Sequence, residues 1–173
     1  FLSSSSRDEA SQESERIKGS FFTHYLVLGL RGAADITQDR RITLNEVYQY
    51  AYRETLVRTE KTLGGAQHPN YNIQMVGTGD VILTDLSTSE SRLALDSHLE
   101  GRVSIYNDAN IPVAEFDKAY GREMEIFLDK GSYTIMITIG DDLAETTLTL
   151  NGSSTLALSS FTPVQREITA MRG

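Results

Sequence analysis

The run GSFFTHYLVLGLRGAAD, residues 19–35, constrains the fold of this chain more than any other stretch. Its centre is apolar on nearly every side of a helix, and a helix of that kind belongs in the interior of a layered domain. Ser20 can cap the first turn, and Gly32 stands where a helix ends. The sequence therefore predicts a buried helix over residues 20–31. This helix is too short to span a bilayer.

The segments around this helix predict the edge of an α/β sheet. FLSSSS, residues 1–6, is a strand candidate that ends in hydroxyl side chains, and residues 7–18 form a polar loop dense in charge. A strand, a polar loop and a buried helix in this order commonly hold a functional site at a sheet edge. A second helix is predicted over residues 44–63, and a further strand over residues 81–86.

The sequence changes character at about residue 87, where short alternating runs follow one another with turn signals between them. Seven strands are predicted, near residues 92–96, 102–106, 113–117, 124–128, 133–139, 145–150 and 155–158. Asn151-Gly152, between two alternating runs, is the strongest hairpin signal. The sequence therefore predicts an antiparallel β-sandwich over residues 87–173 and a separate α/β region over residues 1–86. Within the sandwich, LDKGSYTIMITIGDDLAETTLTLN resembles the hairpins of small immunoglobulin-like or transthyretin-like modules.

Charge and composition exclude several classes of function. The chain of 173 residues carries a formal net charge of −8, which argues against nucleic acid as the main partner and against an anionic membrane surface. It contains no cysteine, so a disulfide or a thiol nucleophile cannot come from these residues. No apolar run is long enough for membrane insertion, so we expect a soluble protein whose compartment, export from a bacterial cell included, stays open. Because the chain has no initiator Met and begins within a predicted strand, we expect a fragment of a longer polypeptide.

The three histidines do not form a recognisable catalytic set. His24, His68 and His98 share no metal-ligand spacing, none lies beside a nucleophile motif, and the sequence has no Gly-x-Ser-x-Gly. We interpret His24, within the buried helix, as a core or edge histidine. These residues alone therefore do not supply a set of side chains for acid–base or nucleophilic catalysis.

The residues from FLSSSSRDEASQESERIKGSFFTHYLVLGLRGAAD through ITLNEVYQYAYRETL and QHPNY to GDVILTDL carry an extended, ordered pattern. This pattern resembles the segment that follows the catalytic cysteine in caspase-like peptidases, especially the bacterial, metacaspase-type members. The resemblance covers roughly the first half of the chain. It implies that residues 1–86 are the small-subunit-like portion of a caspase-like α/β domain. It also implies an upstream segment with a Cys–His dyad, and a peptide or protein substrate.

The resemblance also assigns residues to the substrate cleft. Five side chains would border it, two at the tip of a core strand and three on the loop of the first specificity pocket: Ser5, Ser6, Glu9, Ser11 and Glu13. Caspases that cut after Asp carry an Arg on this loop, whereas the nearest equivalents here are Glu13 and Ser14, with Arg16 slightly later. Carboxylates in a partly desolvated pocket pair with Arg or Lys, so we expect cleavage after basic residues. The alternative is a solvated, self-paired charged loop over residues 7–18.

The segment DITQDRRITLNE, residues 35–46, matches much of a twelve-residue calcium loop, the EF-hand pattern. Its first, third, fifth, seventh, ninth and twelfth positions are Asp35, Thr37, Asp39, Arg41, Thr43 and Glu46. The departure is Arg40, where a glycine normally makes the sharp turn. A capping box of Thr43 and Glu46 at the start of the second helix explains those two residues without metal. We expect that no cofactor is required, and Ca²⁺ at this loop is the alternative.

The leading interpretation is the C-terminal portion of a caspase-like cysteine endopeptidase, with an appended β domain. It would line the substrate cleft and the first specificity pocket. The alternative is a non-catalytic caspase-fold pseudoenzyme, or a calcium-responsive binding or adhesion module. An upstream segment with a histidine after one strand and a cysteine after the next would discriminate the peptidase from these alternatives.

Overall fold

The structure is a computed structural model, and it describes residues 2–3, 13–14, 19–60, 65–71 and 79–164. The described residues are mostly β-sheet and contain two α-helices. The helices are α1 (Phe21–Leu28), which continues as a π-helical turn at Gly29–Ala33, and α2 (Leu44–Thr59). The strands are β1 (Leu2–Ser3), β2 (Glu13–Ser14), β3 (Gly19–Ser20), β4 (Arg41–Thr43), β5 (Asn70–Tyr71), β6 (Ile82–Asp85), β7 (Arg92–Leu95), β8 (Gly101–Asn107), β9 (Pro112–Lys118), β10 (Met124–Phe127), β11 (Gly131–Ile139), β12 (Asp142–Leu150), β13 (Ser153–Leu156) and β14 (Thr162–Pro163).

Helix α1 lies where the sequence predicts it, with two differences. Ser20 occupies the N-cap position, but its side chain makes no capping hydrogen bond. The helix is also not buried on every side, because Val27 is 43 % exposed. The buried face consists of Phe21, Phe22, Tyr25 and Leu28. Its continuation ends through Gly32, whose φ of 113° is a left-handed conformation that favours glycine.

Helix α2 begins at a capping box that the sequence predicts. The Glu46 N–H donates to Thr43 Oγ1 at 3.2 Å, and the Thr43 N–H donates to Glu46 Oε2 at 3.0 Å. Two of the four unpaired N–H groups near the helix start are thereby satisfied. The helix ends at Thr59, earlier than predicted, and residues 61–64 lie outside the described ranges.

The second half of the chain forms two sheets. The five-stranded sheet is antiparallel, with the order β14-β12-β11-β8-β9, and the three-stranded sheet has the order β10-β7-β13. Alternate residues of both sheets are buried in one hydrophobic cluster, among them Leu95, Ile105, Phe116, Ile126 and Ile135. The predicted strands over this region are all present, within a few residues at each end.

One predicted connection is wrong. Strands β12 and β13, on either side of Asn151-Gly152, do not form a hairpin, because they belong to different sheets. β13 pairs parallel to β7, so the sandwich is not wholly antiparallel. The physical reason is that the segment after Asn151-Gly152 finds its hydrogen-bond partners in β7. The Arg92 N–H donates to Gly152 O at 3.2 Å, and the Asp96 N–H donates to Leu156 O at 2.9 Å. Leu156 is buried there.

Helices and sandwich share a single hydrophobic cluster. Phe22, Tyr25 and Val47 from the helices belong to the same cluster as Val103 and Phe116 from the sheet. The π-helical turn packs directly on β10, where a Cβ at Gly32 would lie 2.7 Å from the carbonyl oxygen of Glu125. A domain boundary between residues 86 and 87 stays a prediction, and in the described residues the segments on its two sides are packed together.

Candidate functional site

The predicted substrate-pocket residues fall largely outside the described ranges of the chain. Ser5, Ser6, Glu9 and Ser11 lie there, and of Glu13 only the main chain is described. Glu13 belongs to β2, which pairs antiparallel with β3, and its partner is Ser20. Ser20 is the residue before α1. The structure therefore brings the middle of the predicted loop 7–18 against the start of the buried helix.

A contact between α1 and the sandwich lies one turn further along the helix. His24 Nε2 is 3.1 Å from the carbonyl oxygen of Glu115 and 3.2 Å from its main-chain nitrogen. Burial lowers the pKa of His24 below its ordinary value of 6.5, against the opposing effect of the Glu115 main-chain hydrogen bond. The neutral ring is therefore favoured near pH 7.

The side chain of Glu115 is a buried carboxylate at the same point. It is 4 % exposed, and Arg102 of the neighbouring strand lies 3.1 Å from its Oε1. Arg58 of α2 approaches the same oxygen at 3.9 Å. Arg102 also donates to Asp117 Oδ2 at 2.9 Å. A buried carboxylate needs such partners, because the loss of its hydration is costly.

Helix α2 adds a second acidic group to this junction. The side chain of Glu54 is 12 % exposed, and its Oε1 accepts from Arg53 Nη2 at 3.0 Å. Burial raises the pKa of Glu54, and the hydrogen bond from Arg53 opposes that shift. The aromatic ring of Tyr50 lies nearby against Tyr25 in an edge arrangement, with centroids 6.4 Å apart. The junction between helices and sheet is thus polar at its centre.

The loop with the calcium pattern adopts some of the expected shape. Asp35 Oδ2 accepts from the Arg40 N–H at 2.8 Å, and Asp35 Oδ1 accepts from the Asp39 N–H at 3.2 Å. Arg40 has φ 62°, the left-handed turn that a glycine normally supplies at the sixth position. Thr37 Oγ1 donates to Glu46 Oε1 at 3.3 Å. First, third and twelfth positions are therefore brought together in space.

The carboxylates of this loop are engaged by the protein itself. Glu46 is held by the capping box, and Asp39 Oδ1 accepts from the Arg41 N–H at 2.8 Å. Within the described ranges, no group of three or more His, Cys, Asp or Glu side chains is arranged to hold a metal ion. The main-chain shape fits a calcium loop, and its carboxylates accept hydrogen bonds from the protein itself. The assignment of Ca²⁺ to Asp35, Thr37, Asp39, Arg41, Thr43 and Glu46 stays a prediction.

The sandwich holds this loop from the other side. Arg40 Nε donates to Glu125 Oε2 at 3.2 Å, and Arg92 forms an ion pair with the same carboxylate. The guanidinium of Arg122 donates to the carbonyl oxygen of Asp35. Arg40, Arg122 and Glu125 border a cavity of about 410 Å³, together with Asp35. Its lining carries charges of both signs.

Sequence reasoning missed the residues that join the two halves. Glu115 alternates with apolar neighbours, which predicts a solvent-facing side chain, and the sequence predicts the same exposure for Arg102. The signal that was available is the histidine in the otherwise apolar helix, which needs a polar partner when it packs. The other two histidines lie elsewhere: His98 bonds Asp96 at 2.9 Å and is 76 % exposed, and His68 is exposed on a connecting segment.

Comparisons with known proteins add nothing to the resemblance to caspase-like peptidases, which rests on the quoted motifs alone. A scan against protein-family models and a search of curated proteins both found no match. Among the described residues, no helix is long and apolar enough to cross a membrane. The functional assignment therefore depends on those motifs.

Proposed function

We propose that residues 1–86 form the C-terminal portion of the α/β domain of a caspase-like cysteine endopeptidase that cleaves after basic residues. The Cys–His dyad would lie on polypeptide that precedes residue 1. This chain would line the substrate cleft and the first specificity pocket, through Ser5, Ser6, Glu9, Ser11 and Glu13. The sandwich would be joined to the same domain.

The observation that carries this proposal is the state of strand β6. Val81, Ile82 and Leu83 are consecutive apolar residues that are 43 %, 51 % and 46 % exposed. An uninterrupted apolar run is typical of a strand buried on both faces in a mostly parallel α/β sheet. In the segments that the structure describes, β6 pairs with β4 alone. Three consecutive exposed apolar residues thus lie at the start of a strand whose one described neighbour is antiparallel, and they support the proposal that β6 is part of a larger, mixed sheet.

Strand β1 gives the same indication. It pairs with β5 on one side, and among the described strands no other partner lies beside it. In the proposed peptidase, β1 would continue the core sheet next to the strand that carries the cysteine. The cysteine thiolate would attack the scissile carbonyl, and the histidine would protonate the leaving amine. The contribution of this chain is to bind and orient the substrate residue before the cut.

The choice of a basic residue follows from the composition of the loop before α1. This segment carries Glu9 and Glu13 among charges of both signs, and Arg16 stands slightly after the positions of Glu13 and Ser14. A carboxylate in a pocket with little water pairs with a substrate guanidinium or ammonium group. A substrate aspartate would meet like charge there and would be rejected.

The test is a kinetic comparison on the full-length gene product. Peptides that differ only in Arg or Asp before the cut are assayed with the wild type and with E9Q, E13Q and E145Q. Glu145 is an exposed glutamate of the sandwich, so E145Q is the matched control. We expect E9Q or E13Q to lower kcat/KM for the Arg peptide by at least about tenfold, the equivalent of about 1.4 kcal/mol. Cleavage of the Asp peptide alone, or equal activity of all variants, would contradict the acidic pocket.

A second candidate function is favoured by the left-handed conformation of Arg40. A calcium-responsive, non-catalytic module would use the loop 35–46, whose main chain has the turn that a calcium loop requires. Calorimetric titration with Ca²⁺ tests this function, with D35N as the variant and D108N, in an exposed turn, as the control. Heat of binding and a raised Tm that D35N abolishes would support it. No heat and no change of Tm would exclude it.

A further inference from the structure

The imidazole of His24 occupies the edge of the five-stranded sheet. Among the described strands β9 is the last of that sheet, and the main-chain N–H and C=O of Glu115 both face its outer edge, where His24 Nε2 lies 3.2 and 3.1 Å away. These two groups would otherwise be available to another strand. A helix side chain thus takes the place of a neighbouring strand at this position.

One ring nitrogen serves both main-chain groups through its two tautomers. With the proton on Nδ1, Nε2 accepts from the Glu115 N–H; with the proton on Nε2, it donates to the Glu115 carbonyl oxygen. Either neutral tautomer holds the ring at the same point of β9. The contact therefore persists in both tautomers, and the position of α1 relative to the sheet is fixed in each of them.

Glu115, to which His24 is attached, is itself contacted by two further elements. The carboxylate of Glu115 bonds Arg102 of β8, and Arg58 of α2 lies 3.9 Å from it. The ring of His24 also packs edge-on against Tyr25, with centroids 5.3 Å apart. Tyr25 is 2 % exposed. Movement of α1 against β9 would therefore disturb a buried, charged junction.

We propose that His24 is a positioning residue for substrate binding. It fastens the first turn of α1 to β9, and α1 follows directly after Ser20, which pairs with Glu13 of the predicted specificity loop. Through this pairing the sandwich would influence the predicted substrate pocket. This inference rests on the proposed peptidase function, and it gives the appended sandwich a role in that function.

Kinetics on the full-length gene product test this role. The variants are H24F, which keeps a ring without hydrogen bonds, H24Q, whose amide can accept and donate, and H98F as an exposed control. We expect H24F to raise KM for an Arg peptide about fivefold, the size of one lost hydrogen bond, with kcat within about twofold of the wild type. H24Q and H98F should keep the wild-type KM. An unchanged KM in H24F, or no rescue by H24Q, would overturn the inference.

Amide hydrogen exchange of this chain gives a readout that is independent of catalysis. We expect H24F to raise the exchange rates of the amides in β3, the first turn of α1 and β9 about fivefold, and H24Q to restore them. Equal exchange in H24F and wild type would overturn the fastening, whatever the kinetics show. If the full-length protein cleaves no peptide, the proposed function fails, and the exchange rates still decide whether His24 fastens α1. H24N, whose shorter amide stops before β9, replaces H24F if that variant does not fold.

Discussion

The junction between helices and sandwich depends on a few polar residues within an apolar cluster. Glu115 is a buried carboxylate that contacts a strand arginine and a helix arginine, and its main chain bonds a helix histidine. Removal of one partner of such a group leaves a charge without hydration, which is far more costly than loss of a surface ion pair.

The pKa of His24 leads to a prediction on pH dependence. Its pKa is lowered from 6.5 by burial, so the unfolded chain binds the proton more tightly than the folded chain. The free energy of unfolding should be fully retained above pH 6.5, and should fall as the pH decreases from 6.5 to the lowered pKa. Denaturant unfolding at a series of pH values measures this slope. H24Q should lack it.

Other groups do not obscure this comparison. Burial raises the pKa of Glu54, so the folded chain binds this proton more tightly than the unfolded chain. The contribution of Glu54 to the free energy of unfolding therefore grows as the pH falls toward 4.5. Glu54 is present in both the wild type and H24Q, and its effect cancels in the difference between them. Identical pH profiles for the two proteins would contradict the burial of His24.

At the scale of elements, the strand positions of the sandwich were predictable because alternation and turn residues are local signals. The connection at Asn151-Gly152 was not, because a turn signal fixes the bend and not the sheet that the next strand joins. The pairing of β13 with β7 is decided by contacts distant in sequence, such as Leu156 in the core. Burial of α1 was predicted, and the exposure of Val27 was not.

The π-helical turn gives a prediction on stability. Gly32 has φ 113°, and a Cβ there would meet the carbonyl oxygen of Glu125 at 2.7 Å. G32A should therefore lower the free energy of unfolding by about 1–3 kcal/mol, through backbone strain and displacement of β10. G152A is the matched control, because a Cβ at Gly152 meets nothing within 4 Å. Chemical denaturation of both variants measures the effect, and equal stability would show that α1 and β10 can separate without cost.

At the scale of the whole molecule, the sequence predicts two regions with different residue patterns, and the structure packs both into one hydrophobic cluster. The join was not predictable, because its members, Tyr25, Arg102 and Glu115 among them, lie up to 90 residues apart in a chain read locally. Substrate-pocket residues were assigned by resemblance alone. Their placement depends on residues outside the described ranges, so that portion of the site stays a prediction.

The shared cluster leads to a prediction about fragments. A fragment of residues 1–86 would expose Phe22, Tyr25 and Val47 to water, so it should not unfold cooperatively and should exchange its amides rapidly. A fragment of residues 87–173 keeps both sheets of the sandwich and should retain β structure by circular dichroism. Cooperative thermal unfolding of the first fragment alone would show that the helices need no sandwich.

The central claim is that this chain is one flank of a cleft whose reactive thiol lies on other polypeptide. The most direct measurement is labelling of the full-length gene product with an arginine-containing peptide that carries a thiol-reactive end, followed by mapping of the adduct by mass spectrometry. Because residues 1–173 contain no cysteine, we expect one adduct, on a single cysteine before residue 1. Denaturation should abolish this labelling, and an aspartate-containing analogue should give none. No adduct, or equal labelling by both analogues, would contradict it.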